Sequence, residues 1–339
     1  MGGGYDNCED TYANTAICGT TKGNRVFVLD ADTGSKLAEL STDRGVIGEI
    51  TIVKDSNGKA IYAYATDLGG NISRITIGGL APASWTITKI AALGCGPTAT
   101  DNCYPNRKFI YGPDVVSENG EYILLVGSGD REKPLSSTTH AAGVSNHFYM
   151  VRDKPSDSAW LSAESGRCGA AVMCLASLEA VSTGTPTEAA LATKRGWYLQ
   201  LSSSEKVVTS AITVFGTVTF STQMPPTAQA NTCSANLGVA RVYNIAYTNA
   251  ATRNGTTSRY ETLPAGGLSP SPVAGTVILD NGEARRRIAG QRADDVHRHV
   301  PRRVTPGHQR RLVVAHDDQH QAARRRAFEV ARQPLELVA

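Results

Sequence analysis

The chain has 339 residues, of which 41% are hydrophobic and 19% charged, enough for one large or two ordinary domains with a substantial core. No stretch approaches the roughly 18 consecutive apolar residues of a membrane helix, and residues 1–6 resemble no signal peptide, so we expect neither in this chain. The net charge of +3 is uneven: residues 284–339 hold 13 arginines against 6 acids, while the rest has a net charge of −4 and gives no indication of nucleic-acid binding.

Short runs of Val, Ile, Thr and Tyr, separated by Gly, Asn, Asp and Pro clusters, predict an all-β fold. The first five strands are expected at residues 25–29, 36–40, 49–53, 60–65 and 72–77. Asn57-Gly58 is the strongest hairpin signal among them. We interpret this region as one meander that has the size of a four-stranded propeller blade.

The pattern recurs further along the chain. Strands are expected at 122–126 (after the Asn119-Gly120 turn), 147–152, 196–201, 207–220 and 240–247. One such sheet cannot bury both of its faces alone, so blades of this kind need neighbours. The sequence therefore predicts a partial, modified β-propeller of short antiparallel four-stranded blades.

Six of the seven cysteines form three close pairs in turn-rich surroundings. The pairs are Cys8/Cys18, Cys95/Cys103 and Cys168/Cys174. None has the Cys-x-x-Cys spacing of a zinc or redox site. We interpret them as disulfides that staple loops, which places the protein in an oxidising compartment, the periplasm or outside the cell. Scattered reduced cysteines are the alternative.

The pattern ends near residue 283. Val277–Leu279 and the Asn281-Gly282 turn should open a hairpin, yet the expected return strand is absent and Arg285-Arg286-Arg287 follows instead. An arginine-rich sequence without Lys, Tyr, Trp, Cys or Met is typical of translation in an alternative reading frame of a GC-rich gene. We therefore divide the chain into a propeller region, residues 1–283, and an Arg-rich, frameshifted and disordered tail, residues 284–339. A genuine arginine-rich interaction tail is the alternative.

Several segments, in order, resemble a known family. They are Gly-Gly-Gly-Tyr-Asp at 2–6, residues 23–34, Asp-Leu-Gly-Gly-Asn at 67–71, Gly-Ser-Gly-Asp-Arg-Glu at 127–132, Gly-Trp-Tyr-Leu at 196–199, and residues 232–238 and 266–272. Over about residues 2–283 the chain resembles the propeller region of the PilC/PilY type IV pilus tip-associated adhesins. The resemblance implies a modified propeller at the C-terminal end of a long secreted protein, at the outer membrane or pilus tip.

This resemblance implies a non-enzymatic role in pilus assembly, control of retraction and surface attachment. The implied partners are minor pilins of the tip complex and a host or abiotic surface ligand. We expect two departures from the family: the absence of its large N-terminal region with a signal peptide, and the absence of the strand that should precede Gly2. In family members a further cysteine follows the stretch that matches 277–283, so the resemblance leaves Cys233 unpaired here.

The resemblance also raises the question of calcium. Many relatives carry an acidic calcium loop at the position of residues 53–61, where Asp55 and Asn57 are the candidate ligands. Calcium needs six to eight oxygens, but Val53 and Ile61 stand at the first and last acidic positions. A plain hairpin turn is the alternative. Asp30 and Asp32 could form another oxygen cluster or simply cap their turn.

Two other functions remain open. Leu29–Gly34 resembles the blade turn of quinoprotein dehydrogenases, although only one copy is present and no Trp follows it. A carbohydrate- or matrix-binding propeller unrelated to pili is the third interpretation. Catalytic groupings are weak, because Ser128 lacks a full Gly-x-Ser-x-Gly motif, His140 and His147 are expected to be solvated loop residues, and Asp130–Glu132 fits an internal salt-bridged turn. We predict a protein that is not an enzyme and that recognises surfaces through its loops.

Overall fold

The protein is described by a computed structural model over residues 1–6, 9, 22–182, 184–226, 236–253, 257–264, 266–278 and 284–289. The chain divides into two compact units, residues 1–272 and 273–339. Among the described residues, helices are too short to cross a membrane.

Strands dominate the described residues of both units. Their bounds are β1 Arg25–Leu29, β2 Lys36–Ser41, β3 Thr51–Lys54, β4 Ala60–Thr66, β5 Asn71–Thr76, β6 Thr86–Ala92, β7 Asp114–Glu118, β8 Glu121–Gly127, β9 His147–Asp153, β10 Glu179–Val181, β11 Gly196–Gln200, β12 Lys206–Val207, β13 Ile212–Val214, β14 Thr217–Met224, β15 Val239–Ala246, β16 Tyr260–Leu263, β17 Val273–Ile278 and β18 Ala284–Ala289. The short helices are α1 Thr139–Ala142, α2 Ser165–Cys168 and α3 Glu188–Ala192, with single 3-10 turns at Pro82–Ser84, Ser162–Glu164 and Leu175–Ser177.

The described residues of the first unit form four sheets, which we name in chain order. Sheet A is the β1-β2 hairpin, and sheet B is the meander β3-β4-β5-β6. Sheet C has the order β10-β11-β9-β8-β7, and sheet D has the order β12-β14-β15-β16 with β13 beside β14. In the second unit, β17 and β18 form sheet E.

Three hydrophobic clusters lie between consecutive sheets of the first unit. Val26 and Leu40 of sheet A join Ala63 and Ile75 of sheet B in the A–B cluster. The B–C cluster contains Tyr64, Ile72 and Ile90 of sheet B with Leu124 and Tyr149 of sheet C. The C–D cluster contains Leu125, Phe148 and Trp197 of sheet C with Phe220 and Tyr243 of sheet D. Successive residues of a strand point to opposite faces, so sheets B and C bury both faces, as propeller blades do.

The predicted first blade is wrong in its boundaries. The strands expected between 25 and 77 are divided between sheets A and B, and the meander of four strands is completed by β6, Thr86–Ala92. The predicted four-stranded antiparallel pattern holds in sheet B and in sheet D, where β12 and β13 pair with different residues along the same edge of β14. Sheet C departs from it, because it has five strands and β10 pairs parallel to β11.

The single strand expected at 207–220 is also wrong. The chain forms β12, β13 and the start of β14 there, with a two-residue hairpin turn at Phe215-Gly216 between Val214 and Thr217. Both turn residues have positive φ, +51° and +77°. Phe is a poor residue for that conformation, so the turn carries no sequence signal, unlike Asn119-Gly120, which forms the expected turn between β7 and β8.

The expected absence of a return strand after Asn281-Gly282 is wrong as well. Strand β18, Ala284–Ala289, pairs antiparallel with β17, with Ile278 opposite Ala284 and Val273 opposite Ala289. An arginine-rich segment can form a strand because the hydrogen bonds between strands join backbone groups. Every residue other than proline supplies both a backbone donor and a backbone acceptor. Residues 290–339 lie outside the described residues.

Candidate functional site

Two disulfide bonds close loops beside sheets B and C. Cys95–Cys103 closes the loop after β6, and Cys168–Cys174 closes the loop that begins in α2. Both predicted pairs are confirmed. Outside the described residues lie the remaining cysteines, Cys8, Cys18 and Cys233. We name residues 95–103 and 168–174 the stapled loops.

The two stapled loops lie side by side and are joined through backbone groups. The Ala99 amide donates to the Cys168 carbonyl at 2.9 Å. Just beyond the second disulfide, the Ala176 amide donates to the Pro97 carbonyl at 3.0 Å. Because backbone groups make these contacts, the relative position of the loops does not depend on their exposed side chains. One loop follows sheet B and the other connects strands of sheet C, so their junction connects two sheets.

Met173 attaches the second stapled loop to sheet B. Its amide donates to the Ile90 carbonyl at 2.9 Å, and its carbonyl accepts from the Ala92 amide at 2.8 Å. The Met173 side chain is fully buried in the B–C cluster. The loop is therefore held both by a short parallel bridge to β6 and by an apolar anchor.

Buried polar groups support the base of each loop. The Glu164 carboxylate, 2% exposed, accepts from Ser177 Oγ at 2.6 Å and from Arg195 Nε at 2.6 Å, and Ser177 Oγ accepts from the Cys174 amide at 3.1 Å. On the other loop, Arg107 Nε donates to the Leu93 carbonyl at 2.7 Å. Charge-assisted hydrogen bonds of this kind fix the loop backbones at their bases.

The exposed part of the stapled loops is made of small and polar residues. Those classed as exposed are Pro97, Thr100, Asp101, Asn102, Gly169 and Ala171. Asp101 Oδ2 accepts from the Thr98 amide at 2.8 Å. The stapled loops therefore present hydroxyl, amide and carboxylate groups to solvent.

The candidate calcium ligands Asp55 and Asn57 lie in the turn between β3 and β4. Asp55 Oδ1 accepts from the amides of Asn57 and Lys59, both at 2.9 Å. The carboxylate is thus used by the turn itself. Among the described residues, no group of three or more His, Cys, Asp and Glu side chains could hold a metal ion. Calcium binding at Asp55 and Asn57 stays a prediction.

Asp30 caps the turn between β1 and β2. Its Oδ1 accepts from the Thr33 amide and hydroxyl, each at 2.8 Å, and from the Asp32 amide at 3.2 Å. The Thr33 amide is the main cause of a lowered pKa for Asp30. Turn capping, one of the two interpretations of these acids, is the arrangement found.

The serine and histidines considered for catalysis form no nucleophile–base pair. Ser128 Oγ donates to Asn146 Oδ1 at 3.1 Å, and His147 Nδ1 contacts the Tyr149 hydroxyl at 3.0 Å. The expectation that His147 is solvated is wrong, since it lies in β9 and is 4% exposed. Burial, aided by the Arg107 charge, lowers the pKa of His147 to about 3. His140 lies on α1 and is half-buried.

Asp130 does pair with a cation, but not within its own turn. Its Oδ2 lies 3.3 Å from Lys108 Nζ, and Lys108 also lies 3.6 Å from Glu9 Oε2. Glu9 in turn pairs with Arg44. The interpretation as an internal salt-bridged turn is therefore wrong: the partner comes from a segment more than twenty residues earlier.

Sequence reasoning missed this buried charged cluster, and it had no local signal to use. Lys108 and Glu9 are 2% and 1% exposed, and Lys206 is fully buried. Lysine and glutamate are normally surface residues, so nothing in their neighbourhood in the chain marks them as interior. Only the tertiary contacts show that each has a partner.

Neither a protein-family model nor a curated protein matches the chain. Among solved structures, it is similar to the crystal structure of the Pseudomonas aeruginosa PilY1 C-terminal domain, with 14% sequence identity and a TM-score of 0.49. The match covers 79% of this chain and 65% of that domain. The chain therefore spans just under two thirds of the length of the structure that it matches.

Proposed function

We propose that the chain is a non-catalytic β-propeller part of a type IV pilus tip and assembly protein, which recognises its partners through the stapled loops. The observation that carries the proposal is the ordered series of segments resembling PilC/PilY adhesins. The partners would be minor pilins of the tip complex and a host or abiotic surface. The setting would be extracellular, at the pilus tip or the outer-membrane surface.

The contacts made by these segments support the proposal. Gly3 of the first segment donates to the Arg25 carbonyl of the second at 2.7 Å, and Leu68 of the third donates to the Gly45 carbonyl at 2.9 Å. Gly70 has φ +74°, and a Cβ there would lie 2.5 Å from Gly94 Cα. The residues that carry the resemblance thus include positions that this fold needs, which makes a chance resemblance a poor explanation.

The stapled loops are the best candidates for the recognition surface. They are exposed, rigid at their bases, and joined across two sheets, so binding would require little loss of conformational entropy. The two disulfides also fit the oxidising compartment that a pilus-tip protein occupies.

Co-sedimentation with isolated type IV pili tests the proposal. The purified full chain should sediment with wild-type pili, and much less with pili from a strain that lacks minor pilins. Asn102→Arg, on an exposed stapled loop, should reduce binding at least about tenfold by placing a large charge in the interface. Asn57→Arg adds the same side chain to the exposed β3–β4 turn and should bind normally.

The outcomes separate the two parts of the proposal. Equal sedimentation with and without pili contradicts the pilus function, and binding to a glycan or matrix array in that case favours the unrelated-propeller alternative. Binding to pili that Asn102→Arg leaves unchanged contradicts the assignment of the stapled loops alone.

A further inference from the structure

A small internal cavity lies between the loop at 104–108 and the segment at 127–132. Its volume is about 10 Å³, and its lining includes Asn106, Lys108, Asp130, Ala141 and Asn146. A single water molecule needs roughly 10–15 Å³ of such space. The cavity can therefore hold one water-sized ligand.

Two hydrogen-bond acceptors on the lining residues have no partner. Asn106 Oδ1 and Asp130 Oδ1 are both buried and make no hydrogen bond. The Asn106 amide is oriented by its nitrogen, which donates to the carbonyls of Leu68 at 2.9 Å and Arg107 at 2.8 Å, so its oxygen is an acceptor. Buried acceptors are almost always paired in native proteins, with ordered water where no protein donor is present. A ligand that satisfies both acceptors must supply two donor hydrogens.

The surrounding charges indicate that this ligand is neutral. Lys108 Nζ lies 3.3 Å from Asp130 Oδ2 and donates to the Glu9 carbonyl at 3.0 Å. The fully buried Lys206 also interacts electrostatically with Asp130. A metal cation at the Asp130 carboxylate would be repelled by these ammonium groups, which already balance the acid.

We propose that this cavity binds one structural water molecule, which donates hydrogen bonds to Asp130 Oδ1 and Asn106 Oδ1. The water connects the loop before Phe109 to the Gly127–Glu132 segment. The Lys108–Asp130 ion pair and a hydrogen bond from the Gly129 amide to the Lys108 carbonyl also join these two segments. The proposal is independent of any role in pili, since it concerns only the interior of the chain.

A crystal structure of the full chain, at a resolution that shows ordered water, tests it directly. The expected result is one solvent peak within about 2.6–3.2 Å of both oxygens. An empty cavity, a side chain filling it, or a peak with the anomalous scattering of a metal ion would each overturn the proposal.

Oxygen-17 relaxation dispersion provides a second test in solution, because it counts long-lived internal waters. Ala141→Val adds bulk to the cavity lining and should reduce the count by one. Ala142→Val, the neighbour on α1 that does not line the cavity, should leave the count unchanged. Equal counts in all three proteins overturn the proposal. If circular dichroism shows that Ala141→Val does not fold, the crystal structure decides.

Discussion

The interfaces that sheet C makes on its two faces are held together in different ways. Toward sheet B, the fully buried Asp153 of sheet C accepts from the Tyr64 hydroxyl at 2.8 Å and from the Arg74 guanidinium at 2.7 and 2.8 Å. Toward sheet D, Phe148 stacks on Phe220 with ring centroids 3.8 Å apart. Both interfaces also bury aliphatic side chains. The comparison shows that the two faces of one sheet can be stabilised differently, by a buried ion network on one face and by an aromatic stack on the other.

The difference matters because the two kinds of contact respond to different changes. An aromatic stack depends on volume and shape, so it loses stability when a ring is removed. A buried ion network depends on every member being present, since a single unpaired charge is costly. The face of sheet C that packs on sheet B also carries His147, on the same side of β9 as Tyr149, so the B–C interface contains a group that can titrate.

The largest effect is expected from Phe148→Ala at the C–D interface. Phe148 is fully buried, and its removal leaves a cavity beside Phe220, so the free energy of unfolding should fall by about 3–5 kcal/mol. Guanidinium unfolding followed by circular dichroism measures it. Phe215→Ala is the control, since Phe215 is 71% exposed and should cost under about 1 kcal/mol. A small loss for Phe148→Ala would mean that the stack contributes little.

Asp153→Ala should cost about 3 kcal/mol at the B–C interface, because Arg74 is left without its carboxylate. The same unfolding measurement applies. Asp43→Ala is the control: its pair with Lys89 is exposed, and its loss should cost under about 1 kcal/mol. Adding Arg74→Met to Asp153→Ala should recover part of the stability, since no unpaired charge remains. Equal losses of unfolding free energy for Asp153→Ala and Asp43→Ala would contradict a stabilising role for the buried Asp153–Arg74 pair.

Removing the Cys168–Cys174 disulfide tests whether the stapled loop supports the B–C interface. Cys168→Ala with Cys174→Ala should lower the free energy of unfolding by about 2–3 kcal/mol, through the larger entropy of the unfolded chain. Hydrogen exchange should then show faster exchange at the Met173 amide, which is bonded to β6. Cys95→Ala with Cys103→Ala is the matched control and should leave the Met173 amide protected. If the Met173 amide exchanges at the wild-type rate in both double variants, the bridge between Met173 and β6 does not need the disulfide.

The smallest effect is the pH dependence that His147 contributes on the B–C side of sheet C. The folded-state pKa of His147 is lowered to about 3 from the ordinary 6.5, so the unfolded chain binds the proton first as pH falls. Stability that is present above pH 6.5 is therefore lost between about 6.5 and 3, amounting to about 2 kcal/mol at pH 5. His147→Asn should lose less stability between pH 7 and pH 5 than the wild type does. An identical pH profile for His147→Asn would rule out this assignment.

Much of the stapled-loop site could be predicted, because its signals are local. Cys95 and Cys103 are eight residues apart and Cys168 and Cys174 six, so each pair closes within one loop. That the two loops meet could not be predicted, since the Ala99–Cys168 hydrogen bond joins segments from different sheets. The buried Lys108–Asp130 pair was missed for the same reason.

The sequence by itself determined most strand positions, the turns that carry Asn-Gly, and two disulfide pairs, because backbone preference and short-range closure act between neighbouring residues. Tertiary structure alone decided which strands share a sheet, as in the break between β2 and β3, and which charges are buried. It also decided that β18 pairs with β17. These outcomes depend on how one sheet packs on the next and on which backbones pair. The identity of a single residue contributes little to either.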